Sequence, residues 1–187
     1  MSATTAGAPP AALAADEPEA TTRRRRPSGV AVGVCLIAVL VLVRIFVAEP
    51  FRIPSQSMEP TLRPGDQALV SKVSGHTPAR GSLVAFHSPR GGDILLKRVV
   101  AVGGDTVGLE DGVLVVNGRQ VREPFVNQKS IDGVYFGPVR VKPGTFFAMG
   151  DNRANSEDSR DFGAVRDSSI IGQAVARVWP PSRWGGT

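Results

Sequence analysis

Apolar positions are unevenly spread along the chain. Residues 29–48 form one continuous apolar run broken only by Arg44, whereas the chain after residue 62 alternates short β-branched runs with Gly- and Pro-containing turns. A 20-residue helix rises ~30 Å, about one hydrocarbon core, so 29–48 is expected to be a transmembrane anchor. Arg44, near its outer end, can snorkel its stem to the headgroups. Strands are predicted at 67–73, 82–86, 94–102, 113–116, 145–149 and 170–179. Gly103-Gly104-Asp105 stops the longest of them. Asp111-Gly112 and Asn117-Gly118 bracket 113–116, and Asn-Gly is a strong hairpin signal. The expected architecture is all-β: an antiparallel-sheet domain from 49–104 and 142–187, split by a β-rich insertion over 105–141 and preceded by one transmembrane helix. Residues 1–28 are read as a cytoplasmic tail. Its first 22 residues, rich in Ala, Thr and Pro, are too polar and small to pack and are expected to be disordered.

Charge and composition sharpen this picture. The net charge is +5, but Arg23–Arg26 supply four of the 22 basic residues, leaving 18 against 17 acidic ones. The basic character is therefore a local cluster, which argues against a nucleic-acid groove and, before an apolar span, marks the cytoplasmic side. Arg44, Arg52 and Arg63 on the far side weaken that bias. A cleaved secretory leader is the competing reading. It lacks a small-x-small cleavage site, because Phe46 stands at the outer small position of Phe46-Val47-Ala48. A lipid attachment site at Cys35 fails because Val34 precedes it. Cys35 is the only cysteine, so no intramolecular disulfide or cysteine metal site can form. His76 and His87 have no ligand spacing and read as surface or strand residues. No metal and no cofactor are expected.

Three stretches carry candidate chemistry. The first is Pro54-Ser55-Gln56-Ser57-Met58-Glu59-Pro60-Thr61-Leu62. Its prolines predict a stiff extended or turning loop and not a helix, either a solvated linker or a rigid mount for a hydroxyl. The second is Leu96-Lys97-Arg98-Val99-Val100-Ala101-Val102. Strand alternation puts Lys97 with Leu95, Val99 and Ala101, and Arg98 with Leu96, Val100 and Val102. Lys97 either snorkels its head to water or sits among apolar groups; in the second case its pKa falls and the amine becomes a general base. The third, residues 150–163, is dense in polar groups directly after an apolar strand. It is a solvated loop or a hydrogen-bonded platform, in which Ser156 is a suitable type to orient a neutral lysine and Asp158 can pair with Arg160.

Together, and in this order behind a single apolar span, these stretches resemble bacterial type I signal peptidases, the membrane-bound Ser-Lys endopeptidases that remove signal peptides. The motifs are Ser-x-Ser-Met-x-Pro-Thr-Leu, Lys-Arg-Val-Val-Ala-Val-Gly-Gly-Asp and Gly-Asp-Asn-Arg-x-Asn-Ser-x-Asp-Ser-Arg, over about residues 40–180. The resemblance implies that Ser57 is the nucleophile and contributes its own N–H to the oxyanion hole. It implies that the Ser55 hydroxyl completes that hole, Lys97 is the general base, Ser156 orients Lys97, and Asp158 with Arg160 is a supporting ion pair. Ser82 and Ala154 each stand where the family usually has Asp. Lys97, where some relatives carry His, points to the prokaryotic branch.

The implied substrates are secreted precursors with small residues at positions −1 and −3, bound as a strand. Phe51, Ile53, Met58, Leu62 and Leu95 wall the pockets or belong to the ordinary core. The lipid bilayer and export machinery are the other implied partners, with no nucleic acid. The implied location is the cell membrane, single-pass, N-terminus cytoplasmic and catalytic domain outside. Trp179 is expected to be buried, and Trp184 is a candidate for the membrane interface. Two rivals stand beside this reading. A self-cleaving repressor-type Ser-Lys protease needs a DNA-binding module, for which Arg23–Arg26 is too short. A tethered β-domain that binds export machinery would use Ser57 and Lys97 only structurally.

Overall fold

The apolar run folds as helix α1, Gly29–Phe46, in the computed structural model, which describes residues 29–73, 77–127, 131 and 133–186. The expected tail over 1–28, its Arg23–Arg26 cluster and His76 lie outside the described residues. Helix α1 stops two residues short of the expected boundary. Ala48 instead opens strand β1 (Ala48–Arg52) and pairs with Ser71 of β2 (Gln67–Ser71). Pro50 explains the stop, because it bars helix at itself and disfavours it at Glu49. The 18 residues of α1 rise about 27 Å, less than a ~30 Å hydrocarbon core. Among the described residues no helix is long and apolar enough to cross a membrane.

The remaining strands are β3 (Leu83–His87), β4 (Ile94–Val102), β5 (Thr106–Glu110), β6 (Val113–Val116), β7 (Arg119–Gln120), β8 (Phe136–Arg140), β9 (Thr145–Met149), β10 (Val165–Arg166) and β11 (Ile170–Trp179). They form a seven-stranded sheet ordered β1-β2-β11-β3-β4-β9-β10 and a four-stranded sheet ordered β7-β6-β5-β8. All pairings are antiparallel. The fold class is all-β, as the alternation predicts. Two tight turns build the second sheet. Asp111-Gly112 and Asn117-Gly118 both have φ between 53° and 74°, the double left-handed geometry of type I′ hairpins.

The core has three parts. Leu83, Ala85 and Leu96 pack with Ile53, Met58 and Leu62 on one face of the large sheet. Val84, Phe86, Val99 and Phe146 fill the other face. Val107, Leu109 and Leu114 of the small sheet close over Val100, Phe147 and Met149 of the large one, so the sheets share a hydrophobic contact. Strand β4 lies inside the large sheet, between β3 and β9, and is covered on both faces. The simple alternation fails beyond Val99. A bulge between Val99 and Ala101 inverts the parity, so Ala101 joins Val100 and Val102 joins Val99. Trp179 is 52% exposed and not buried, because the end of β11 runs past the core; Trp184 is also exposed.

Candidate active site

Ser57 sits in a 3-10 turn, Gln56–Met58, shortly after the edge strand β1. The loop is therefore a turning one, as one branch of the expectation has it, with a single three-residue 3-10 segment where no helix was expected. Pro54 and Pro60 flank the turn and remove no donor that it needs. Glu59 N–H donates to the Gln56 carbonyl (3.0 Å) and Leu62 N–H to the Met58 carbonyl (2.9 Å). Met58 and Leu62 are buried and pin the loop, which leaves Ser57 half-buried and Ser55 exposed. The Ser55 and Ser57 hydroxyls share a hydrogen bond of 3.1 Å.

Lys97 lies on β4 opposite Val84 and is only 3% exposed. Its Nζ donates to Ser156 Oγ at 3.1 Å. Burial pushes its pKa below the ordinary 10.5, against the pull of Asp158, with Arg160 adding to the depression. The folded chain thus binds fewer protons than the unfolded chain between that lowered pKa and 10.5. Stability rises with pH across this window, so a charged Lys97 is a cost to the fold.

The 150–163 stretch is a hydrogen-bonded platform. Asp158 is fully buried and caps the short helix α2 (Ser159–Phe162) in a reciprocal capping box with Asp161. Arg160 grips it through two guanidinium donors, Nε to Oδ1 and Nη2 to Oδ2, each at 2.9 Å. Burial raises the Asp158 pKa, but Arg160 and the N–H groups of Gly150 and Arg160 outweigh that and keep the carboxyl ionised. Gly150 N–H donates to Asp158 Oδ2 at 3.0 Å. Asn152 clamps the serine loop, its N–H on the Ser57 carbonyl (3.0 Å) and its Nδ2 on the Gln56 carbonyl (3.2 Å). A Cβ on Gly150 would lie 2.5 Å from the Ser57 carbonyl oxygen and closer still to Ser156 Oγ, so this glycine lets the two loops touch.

One small cavity, about 50 Å³, lies between the serine loop and strand β4. Ser55, Ser57 and Lys97 line it with Phe51, Ile53, Met58 and Leu95. Leu62 does not line it. The turn that bonds Leu62 to Met58 draws its side chain into the core. Of the two departures from the family pattern, the Ser82 hydroxyl donates to the Ala79 carbonyl at 2.6 Å, and Ala154 is exposed. His87 stands at the exposed end of β3.

Several site residues escaped the sequence reading. Asp151 is buried, accepts both Nε and Nη2 of Arg98 at 2.8 Å, and takes the Thr61 hydroxyl at 2.6 Å. The signal was present: an arginine on an otherwise apolar strand face requires a buried anionic partner. Gly150 and Asn152 gave no such signal: Gly150 acts by lacking a side chain, and Asn152 donates from its N–H and Nδ2 to backbone carbonyls 95 and 96 residues away.

A profile of the family described as signal peptidase, peptidase S26, matches residues 27–179. The probable signal peptidase I-1 of Synechocystis sp. is 41% identical over 160 residues, 80% of each chain. The signal peptidase I of Leptolyngbya laminosa is 37% identical over 95% of this chain and 90% of its own. A crystal structure of a signal peptidase I from Enterococcus faecalis V583 aligns at 29% identity with a TM-score of 0.44, over 55% of this chain and all of that one. Coverage this broad at such identity leaves one assignment: the chain belongs to the signal peptidase family, peptidase S26, and is a serine endopeptidase of the signal peptidase I type.

Proposed function

We propose that this endopeptidase is membrane-tethered and removes N-terminal signal peptides from exported precursors after small-x-small sites, with Ser57 as nucleophile and Lys97 as general base. The observation that carries this is a buried lysine held to Ser156 at 3.1 Å in the cavity that Ser55 and Ser57 also line. In this reading 49–104 and 142–187 form the catalytic part and 105–141 the insertion. Residues 29–48 tether the chain, with Arg23–Arg26 holding the N-terminus in the cytoplasm. Secreted precursors and the bilayer are the partners.

The chemistry follows from the placement of donors and acceptors. Ser156 accepts one N–H of the neutral Lys97 amine and so orients the lone pair for Ser57. When a precursor carbonyl arrives, Ser57 releases its bond to Ser55 and gives its proton to Lys97 Nζ. Its Oγ bonds the carbonyl carbon, and the carbonyl electron pair moves to oxygen. The freed Ser55 hydroxyl donates to that oxyanion, as does the Ser57 N–H, which in the first turn of a 3-10 segment has no acceptor within the turn. Collapse breaks the C–N bond, and the leaving amine takes the proton from Lys97. Lys97 then removes a proton from water as its oxygen bonds the ester carbon; the C–Oγ bond breaks, Ser57 Oγ takes that proton back from Lys97, and the carboxylic acid product leaves. The cavity beside Ser57 is small and walled by Phe51, Ile53, Met58 and Leu95, in keeping with a small apolar side chain such as alanine at −1.

The test is cleavage of a precursor bearing an Ala-x-Ala site, with the new N-terminus read by mass spectrometry. Wild type cuts after the second alanine. Ser156→Ala lowers kcat roughly 100-fold with little change in thermal stability, because only the aim of Lys97 is lost. Normal cleavage by Ser156→Ala rejects its orienting role.

A further inference from the structure

Two side chains of the 121–127 stretch reach back to the catalytic loop, and the reaction scheme above uses neither. Glu123 and Arg153 are both buried, and Arg153 Nη2 donates to Glu123 Oε1 at 2.6 Å. Arg153 Nε donates to the Gly150 carbonyl at 3.0 Å. Gly150 is the residue packed against Ser57 and Ser156. The second contact is Phe125, whose ring centroid lies 4.1 Å from the Arg98 guanidinium carbon. Arg98 neighbours Lys97 on β4 and holds Asp151. Two side chains from the 105–141 segment thus bear on two arginines, and those arginines fix the adjacent residues Gly150 and Asp151.

The Glu123–Arg153 pair is an odd device for stability alone. Glu123 Oε2 and Arg153 Nη1 are buried with no hydrogen-bond partner among the described residues. Incompletely satisfied buried ion pairs are often no better for stability than apolar residues of similar size. What apolar residues cannot supply is the directional bond to the Gly150 carbonyl.

We infer that Glu123 is a positioning residue for peptide cleavage: through Arg153 it fixes the Gly150 carbonyl, and with it the contact of the catalytic loop with Ser57 and Ser156. The 105–141 segment is then part of the catalytic apparatus, tying the small sheet to the nucleophile loop. The inference rests on the Ser57–Lys97 reading. It predicts that loss of the pair affects the chemical step more than substrate capture.

The test compares the full chain with Glu123→Gln and with the double variant Glu123→Leu/Arg153→Met. Both charges are gone in the double variant, so its melting temperature stays at or above wild type. Its kcat on the Ala-x-Ala precursor falls roughly tenfold to a hundredfold, while KM changes little. Glu123→Gln, which keeps one acceptor, falls between the two. A stable double variant with wild-type kcat overturns the inference, as does a loss confined to KM. Ser57→Ala, run alongside, separates the two readings. Cleavage retained there rejects the dyad, whereas wild-type kcat in the double variant rejects the positioning role whatever the nucleophile is.

Discussion

Ser57→Ala and Lys97→Ala each lower precursor cleavage by roughly 10⁴-fold or more while the chain stays folded. Ser57 is half-buried in a turn anchored by its neighbours Met58 and Leu62, so removing one hydroxyl leaves that anchoring untouched. Lys97 is buried, and burial already disfavours its charge, so replacing it takes away a group that the fold holds at a cost. The two losses do not add. In the proposed mechanism nucleophile and base act in one proton transfer, so the double variant is about as impaired as either single one. Circular dichroism and melting confirm folding, and the precursor assay measures rate. Near wild-type cleavage in either folded variant contradicts the dyad. That result would favour a binding module in which both residues are structural.

Gly150→Ala has the next largest effect. One methyl is added where the Ser57 carbonyl oxygen would be 2.5 Å away and Ser156 Oγ nearer still. Neither neighbour yields easily. The Ser57 carbonyl is fixed by Asn152 N–H, and Ser156 is tied to Lys97. Overpacking of this kind costs about 1–3 kcal/mol of stability. The larger consequence is separation of the proposed nucleophile and base, and a misplacement near 1 Å lowers the rate about 100-fold. Melting and kcat are measured on the same preparation. A variant with wild-type kcat would show that the contact between the two loops is not needed for the chemistry.

Much of the architecture is legible from local chemistry. Strand β4 keeps its predicted limits of 94 and 102, and the Asp-Gly and Asn-Gly turns dictate two hairpins of the small sheet. The placement of Lys97 among apolar groups follows from alternation alone up to Val99. Beyond it the bulge inverts the faces, because a register shift depends on the partner strand β9 and not on β4 itself. The contact between Lys97 and Ser156 spans 59 residues, and no spacing rule encodes it; hydroxyl chemistry made Ser156 a suitable type, and the family resemblance paired it with Lys97. Arg98 with Asp151 and Glu123 with Arg153 are also distant in sequence, and neither spacing nor the resemblance named them. Each half of such a pair looks like an ordinary charged residue until the fold removes its water. Leu62 shows the converse: adjacency to the serine loop suggested a pocket wall, yet the turn folds it inward.

The proposed mechanism needs an uncharged amine at Lys97 under working conditions. The most direct measurement is an NMR titration of the lysine side-chain Cε resonances in the inactive Ser57→Ala chain, with Lys97→Met assigning the signal. Lys97 should titrate below 10.5, since burial lowers its pKa. Wild-type kcat/KM should rise with pH along a limb of matching midpoint, because only the neutral amine can accept the Ser57 proton. A Lys97 signal titrating at or above 10.5, with cleavage unchanged across that limb, would contradict the mechanism.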